Sequence, residues 1–186
     1  MVRKRDAPLL LLGPGASGGI EALRPMIRAL GRLGVTAAPV KLQQSKAERA
    51  MPAYRAAVED ARGDPLLIGG HSFGGRVASL VAAEGADAPS VRGLVLLSYP
   101  LHAPGRHAAW DERTAHWPRL RIPILLLSGE SDPFARIDLL RAAVKDRLRE
   151  TDAELVTYPG VGHGLAPVLD DAAARIAAFV AQVAGT

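Results

Sequence analysis

The chain has 186 residues, of which 48% are hydrophobic and 23% charged, with no cysteine. This reads as a single domain over 1–186, long enough to bury about 70% of its unfolded surface, and it excludes a disordered tail, a collagen-like repeat, a coiled coil and any thiolate metal site. A net charge of +4 raises nucleic-acid binding, but the arginines are spread from Arg3 to Arg175, the only tight basic cluster is Arg3-Lys4-Arg5, and aromatics make up 4% of the chain. A basic groove with stacking platforms has a different pattern, so no nucleic-acid partner is expected.

Apolar runs alternate with segments of helical period. Ala7 to Leu12 is the first run; it ends at Gly13, too short for a signal h-region or a membrane span, and reads as a strand of a cytoplasmic protein without membrane contact. A stripe of Ile20, Leu23, Ile27, Leu30 and Leu33 follows, with Pro25 in the first turn of a helix. Val35 to Leu42 reads as the second strand, and Pro52 as the start of a helix through Tyr54 and Val58. Pro65 to Gly69 is the third strand, followed by a helix bearing Val77, Leu80 and Val81. Val91 to Leu97 is the fourth. From Tyr99 to Arg121 the periodicity is weak, with three prolines, three histidines and both tryptophans. Ile122 to Leu127, a helix through Ile137, Leu140, Val144 and Leu148, the strand Ala153 to Tyr158 and a helix through Leu169, Ile176, Val180 and Val183 complete the series.

The strand runs are nearly continuous in Val, Ile and Leu, as in strands covered on both faces. Alternation with helices predicts a three-layer, doubly wound, mostly parallel α/β sheet of about six strands.

Two glycine motifs compete for the chemistry. Gly13-Pro14-Gly15-Ala16-Ser17-Gly18 matches the dinucleotide pattern G-x-G-x-x-G between a strand and a helix. It lacks the acidic residue expected about twenty positions on, and Pro14 removes an N–H that phosphate would use. No cofactor is expected there. Gly70-His71-Ser72-Phe73-Gly74 matches G-x-S-x-G, again between strand and helix, where a tight turn lifts the serine hydroxyl above the sheet edge.

A serine needs a base, and the base needs a carboxylate to fix its tautomer. His163 lies in Gly160-Val161-Gly162-His163-Gly164, past the last strand. Asp132, in Ser128-Gly129-Glu130-Ser131-Asp132-Pro133-Phe134, follows the fifth strand, with Glu130 as its rival. Ser72, Asp132, His163 is the chain order of α/β-hydrolases. His71 reads as a packing and hydrogen-bonding residue rather than a second base. His102, His107 and His116 match no familiar ligand spacing, so no metal is expected. Trp110, Trp117, Leu101 and Phe134 are either pocket walls or core.

On these residues the chain resembles the α/β-hydrolase superfamily over nearly its whole length, and in particular the small, lid-poor, dienelactone-hydrolase-like branch. Leu97-Ser98-Tyr99-Pro100-Leu101-His102-Ala103-Pro104-Gly105 and the Ser128 to Phe134 segment also resemble the hydrolase-like domain of the third subunit of the NSL complex and its bacterial relatives. The resemblance implies a minimal α/β-hydrolase fold without a large lid, its first antiparallel strands missing. It implies a serine-dependent esterase or thioesterase acting on a small-molecule ester, with no metal and no organic cofactor. Ser72 is then the nucleophile, Asp132 the acid and His163 the base.

The chain departs from its relatives at the first turn, where they read His-Gly-x-Gly and this chain reads Leu12-Gly13-Pro14-Gly15. Phe73 N–H supplies one oxyanion donor. Pro14 has no N–H, so the second comes from Gly15 or Ala16, or is absent. An absent donor supports the alternative, a catalytically impaired domain used for protein interaction.

Overall fold

The computed structural model describes residues 7–43, 46–61, 65–85 and 91–185; the Arg3-Lys4-Arg5 cluster lies outside them. Strands β1 (Leu9–Gly13), β2 (Thr36–Pro39), β3 (Leu66–His71), β4 (Val91–Leu97), β5 (Ile124–Gly129) and β6 (Ala153–Tyr158) form one sheet, in the order β2-β1-β3-β4-β5-β6. All neighbouring pairs are parallel, so each connection must cross over the sheet. The helices are α1 (Arg24–Arg32), α2 (Ala47–Asp60), α3 (Phe73–Glu84), α4 (Trp110–Thr114), α5 (Ile137–Arg147) and α6 (Leu169–Gly185). This is the minimal α/β fold read from the sequence. No helix among the described residues is long and apolar enough to cross a membrane.

Strand side chains sort by parity into two cores. Leu10 and Leu12, Leu67, Val95 and Leu97, and Leu125 and Leu127 pack with α1 and α6. Leu11, Ile68, Leu94, Leu96 and Leu126 pack on the opposite face with α2, α3 and α5. Helices on both faces account for the unbroken apolar runs of the inner strands. At the edges the pattern lapses: Thr36 of β2 and Glu154 of β6 are exposed.

Two expectations are corrected. Ile20 and Leu33 do not share the buried stripe of α1; they are 39% and 50% exposed, whereas Leu23, Met26 and Leu30 are buried. A 3-10 turn over Gly19–Leu23 precedes the helix and rotates Ile20 off its face, and Leu33 falls in the C-cap. Pro52 does not open α2 but lies inside it. The buried stripe of Ala47, Ala50, Met51, Tyr54 and Val58 runs straight through the exposed proline. An interior proline costs about 3 kcal/mol, which burial of Met51 and Tyr54, at roughly 1.5–3 kcal/mol each, offsets. The Tyr99 to Arg121 segment, whose periodicity is weak, holds α4 between 3-10 turns at His107–Ala109 and Trp117–Arg119.

From β1 the chain moves outward to β2, then returns past β1 to build β3 and the rest. The connections leaving β1 and β3 therefore diverge, which opens a crevice at their carboxyl ends where ligands bind in sheets of this kind. Tyr54 supports that point from below. Its buried hydroxyl donates to Gly69 O at 2.6 Å, with Leu11 O 3.0 Å away, and accepts from Gly69 N–H at 3.0 Å. Burial pushes its pKa well above the usual phenol range.

Candidate active site

Ser72 sits at the carboxyl end of β3, where the strand turns directly into α3. Its backbone has φ 50° and ψ −114°; only Ser98 shares a positive φ among the described non-glycine residues. Such a conformation costs on the order of 1–3 kcal/mol and persists because the surroundings over-determine it. Ser72 N–H donates to Leu97 O at 2.8 Å, and Ser72 O accepts from Arg76 N–H at 3.0 Å. The flanking glycines are needed for closeness. A Cβ on Gly74 would lie 2.2 Å from the Gly13 carbonyl, and one on Gly70 would lie 2.5 Å from Gly13 O. The β3–α3 turn is thus pressed against the end of β1.

The three residues read as a relay come together from three strand ends. His163 Nε2 lies 2.8 Å from Ser72 Oγ, and His163 Nδ1 lies 2.8 Å from Asp132 Oδ2. An ionised carboxylate only accepts, so Nδ1 carries the proton and Nε2 is left to accept from the serine. Each oxygen of Asp132 has a partner: Phe134 N–H donates to Oδ1 at 2.8 Å, and the side chain is 0% exposed against 23% for His163. Glu130, the rival carboxylate, faces away. It accepts from Arg141 and from Thr157 Oγ1, each at 2.7 Å.

The histidine loop is moored to the acid loop through backbone. Ser131 N–H donates to Val161 O at 2.9 Å and Glu130 N–H to Tyr158 O at 2.9 Å. Gly129 permits this approach, since a Cβ there would lie 2.1 Å from Val161 O.

Two further histidines support the relay: His71, as its place beside Ser72 suggested, and His102, which carried no signal in its local sequence. His71 donates from Nε2 to the His163 carbonyl at 3.0 Å. Its ring centroid lies 5.1 Å from that of His163, whose other flank meets Phe134 at 4.6 Å. Burial pushes His71 below the ordinary imidazole pKa, against the raising effect of that bond. His102 is fully buried. It accepts the Arg136 N–H at Nε2 (3.1 Å), donates from Nδ1 to Ala103 O (3.0 Å), and gives its own N–H to Phe134 O (3.0 Å). It clips the Tyr99 to Arg121 segment to the turn bearing Asp132. Its bonds run through distant backbone, so spacing alone does not reveal them.

A cleft of about 600 Å³ opens beside Ser72, lined by Ala16, Phe73, Arg76, Arg113 and Phe134 among others. The Tyr99 to Arg121 segment supplies one wall, and no cap among the described residues closes it. Trp117 and Leu101, weighed as pocket walls, are fully buried core. Trp117 packs edge-on against Tyr99 with centroids 5.0 Å apart. Trp110 stacks under Arg147, whose guanidinium is 5.5 Å from its ring.

Phe73 is the first residue of α3, so its N–H is among the donors a helix start leaves unpaired. On the β1–α1 turn, Ala16 lines the cleft with Ser72 and Phe73. Gly15 lines a separate apolar cavity of about 260 Å³ with His71, Met26, Leu97 and Leu165.

The chain belongs to the alpha/beta hydrolase domain family, whose pattern matches residues 37–181. Solved structures share its fold at low identity. Est1E from Butyrivibrio proteoclasticus superposes with a TM-score of 0.79 at 16% identity, over 99% of this chain and 91% of that one. A monoacylglycerol lipase from Paleococcus ferrophilus gives 0.75 at 14% identity, over 96% and 97%. The thioesterase domain from the curacin biosynthetic pathway gives 0.71 at 15% identity, over 94% and 91%. The fold is thus that of esterases, lipases and thioesterases, and the chain is a hydrolase by family.

Proposed function

We propose that this protein is a serine hydrolase that cleaves a small carboxylic ester or thioester through an acyl-enzyme on Ser72. The observation that carries the reading is the unbroken relay from Ser72 Oγ through His163 to the buried Asp132, 2.8 Å at each step. Ser72 Oγ attacks the acyl carbon while His163 Nε2 takes its proton, and Asp132 stabilises the imidazolium. Phe73 N–H and an N–H from Gly15 or Ala16 stabilise the oxyanion. His163 then protonates the leaving alcohol or thiol, and deprotonates the water that releases the acid. The open cleft supports a small, accessible substrate, in keeping with the dienelactone-hydrolase-like resemblance.

Fluorophosphonate labelling with intact-mass analysis and peptide mapping tests this reading. Stoichiometric adduct on Ser72, lost in His163→Ala, is expected. Folded wild-type protein that takes no adduct overturns it.

One observation favours a second reading, a hydrolase-like interaction domain with an impaired site. Pro14 stands in the turn that supplies the second oxyanion donor and has no N–H to give. Losing one such donor costs about 10²–10³ in rate. Turnover of p-nitrophenyl acetate and butyrate by wild type but not by Ser72→Ala excludes this reading; absence of turnover in both supports it.

A further inference from the structure

The cleft beside Ser72 carries more charge than a site for neutral esters needs. Lys46, Arg76 and Arg113 line it, against Glu48 and Glu112. Arg76 follows Ser72 by one turn of α3, which puts it on the serine's side of the helix. It is paired: its Nη2 donates to Glu48 at 3.0 Å. Arg113 projects from α4 and gives Nη1 to Pro100 O at 3.0 Å. Among the described residues it has no carboxylate at ion-pair distance. Burial and the neighbouring Arg76 charge both disfavour its charged form. Two guanidiniums therefore share the cleft with two carboxylates: Glu48 is ion-paired with Arg76, while Glu112, next to Arg113 in the chain, favours the Arg113 charge without an ion pair among the described residues.

Both cations are built in from behind. Arg76 O accepts from Ser79 Oγ at 2.9 Å, and Ser79 Oγ in turn accepts from buried His116 Nε2 at 2.8 Å. Arg113 O accepts from buried Tyr99 at 2.7 Å. A polar scaffold of this kind fixes the backbone that presents each guanidinium, and a planar guanidinium with free N–H groups matches a carboxylate.

We infer that the cleft selects esters that also carry a carboxylate, which Arg113 binds with Arg76 beside it while the ester carbonyl lies at Ser72. This rests on the acyl-enzyme reading above and adds the substrate class. The carboxylate belongs to the acyl part or to the alcohol part, and the two are tested separately. Ethyl hydrogen succinate against ethyl butyrate probes the acyl side; 4-acetoxybenzoate against its methyl ester probes the alcohol side.

Wild type is expected to prefer the anionic member of one pair by about 10–100-fold in kcat/KM, the usual worth of a charge-assisted bond. The preference is expected to weaken as salt is raised. It should fall to near unity in Arg113→Gln and recover in part in Arg113→Lys. Glu48→Gln, which frees Arg76 from its carboxylate, should increase it, a direction that mere structural damage does not produce. Binding is read separately in Ser72→Ala protein, by saturation-transfer NMR with ethyl hydrogen succinate and 4-acetoxybenzoate. Ester turnover with no anionic preference in either pair overturns this inference and leaves the acyl-enzyme reading standing. Anion binding that depends on Arg113, without turnover or Ser72 labelling, overturns the acyl-enzyme reading and keeps the anion site. Neither turnover nor binding overturns both.

Discussion

Two glycine-rich turns lie side by side at the carboxyl edge of the sheet, and they solve different problems. The β3–α3 turn passes from strand to helix through one strained residue, Ser72, and is wedged against Gly13 by Gly70 and Gly74. The second half of the β1–α1 turn is loose. Gly18 and Gly19 take positive φ, with only Ala22 near the first and nothing within 4 Å of a Cβ on the second, and a 3-10 turn intervenes before α1 begins at Arg24. A dinucleotide site needs the first N–H groups of a helix directly after the glycines. Here Gly15 packs on His71 instead. The same residue type thus serves closeness at Gly70, Gly74 and Gly15 and freedom of φ at Gly18 and Gly19. Only the β3–α3 turn holds a side chain in a conformation that calls for a function.

Changes to the relay should produce the largest effect. If the strain at Ser72 serves nucleophilic attack, Ser72→Ala lowers ester turnover by at least about 10⁴-fold while stability is unchanged or slightly raised. Asp132→Asn is expected to lose roughly 10³–10⁴-fold, because an amide at Oδ2 no longer selects the tautomer that leaves Nε2 free. Steady-state assays with p-nitrophenyl acetate, beside urea unfolding, check both. Stability lost with no change in turnover would mean that the strained turn is architectural.

The contrast between the two turns is tested directly by adding one methyl to each. Gly74→Ala places a Cβ 2.2 Å from the Gly13 carbonyl and must displace backbone. We expect a loss of more than about 3 kcal/mol, or no soluble protein. Gly19→Ala meets no atom within 4 Å and suffers only its φ of +53°, a cost of about 1–2 kcal/mol. Equal losses by thermal unfolding would mean that the two turns are equally tight.

Behind the β3–α3 turn, the buried network gives a pH signature that the other turn lacks. Burial, then the charges of Arg76 and Arg119, hold His116 down to about 4 from 6.5. Between those values the unfolded chain binds a proton that the folded chain refuses. The stabilisation is therefore complete above about pH 6.5 and declines as the pH falls toward 4. Half-buried His71 is shifted in the same direction. A loss of about 2 kcal/mol between pH 7 and pH 5 is expected from His116, and it should be flattened in His116→Gln. Urea midpoints at the two pH values measure it.

What the sequence disclosed follows from how local each cause is. The ranges of β4 and β6 were legible in full, because unbroken apolar runs bounded by turns have few other readings. The relay was legible because each member follows a strand on a short loop. The rest depends on contacts between distant segments. Asp132 prevails over Glu130 because Thr157 and Arg141 take up Glu130. His102 and His71 gain their roles from the Phe134 and His163 carbonyls. Trp117 is core because Tyr99 and α3 close over it. Helix α4, five residues long, is too short for a period to show. Pro52 misplaced a helix start because its local cost is outweighed by burial that appears only when α2 meets the sheet.

Restoring the donor that proline removed from the β1–α1 turn should have the smallest effect. Pro14→Ala gives that position an N–H without changing the glycines around it. Ala16, two residues on, shares the cleft with Ser72 and Phe73, and we propose its N–H as the second oxyanion donor. Pro14→Ala is then expected to change kcat/KM for p-nitrophenyl butyrate by no more than about threefold, well below the 10²–10³ that a missing oxyanion donor costs. Ala16→Pro, which deletes the favoured N–H, should bring about that larger loss while leaving Ser72 in place. A rise of a hundredfold in Pro14→Ala would reverse the assignment. Position 14 would then be the donor site, and the natural chain would lack half of its oxyanion hole.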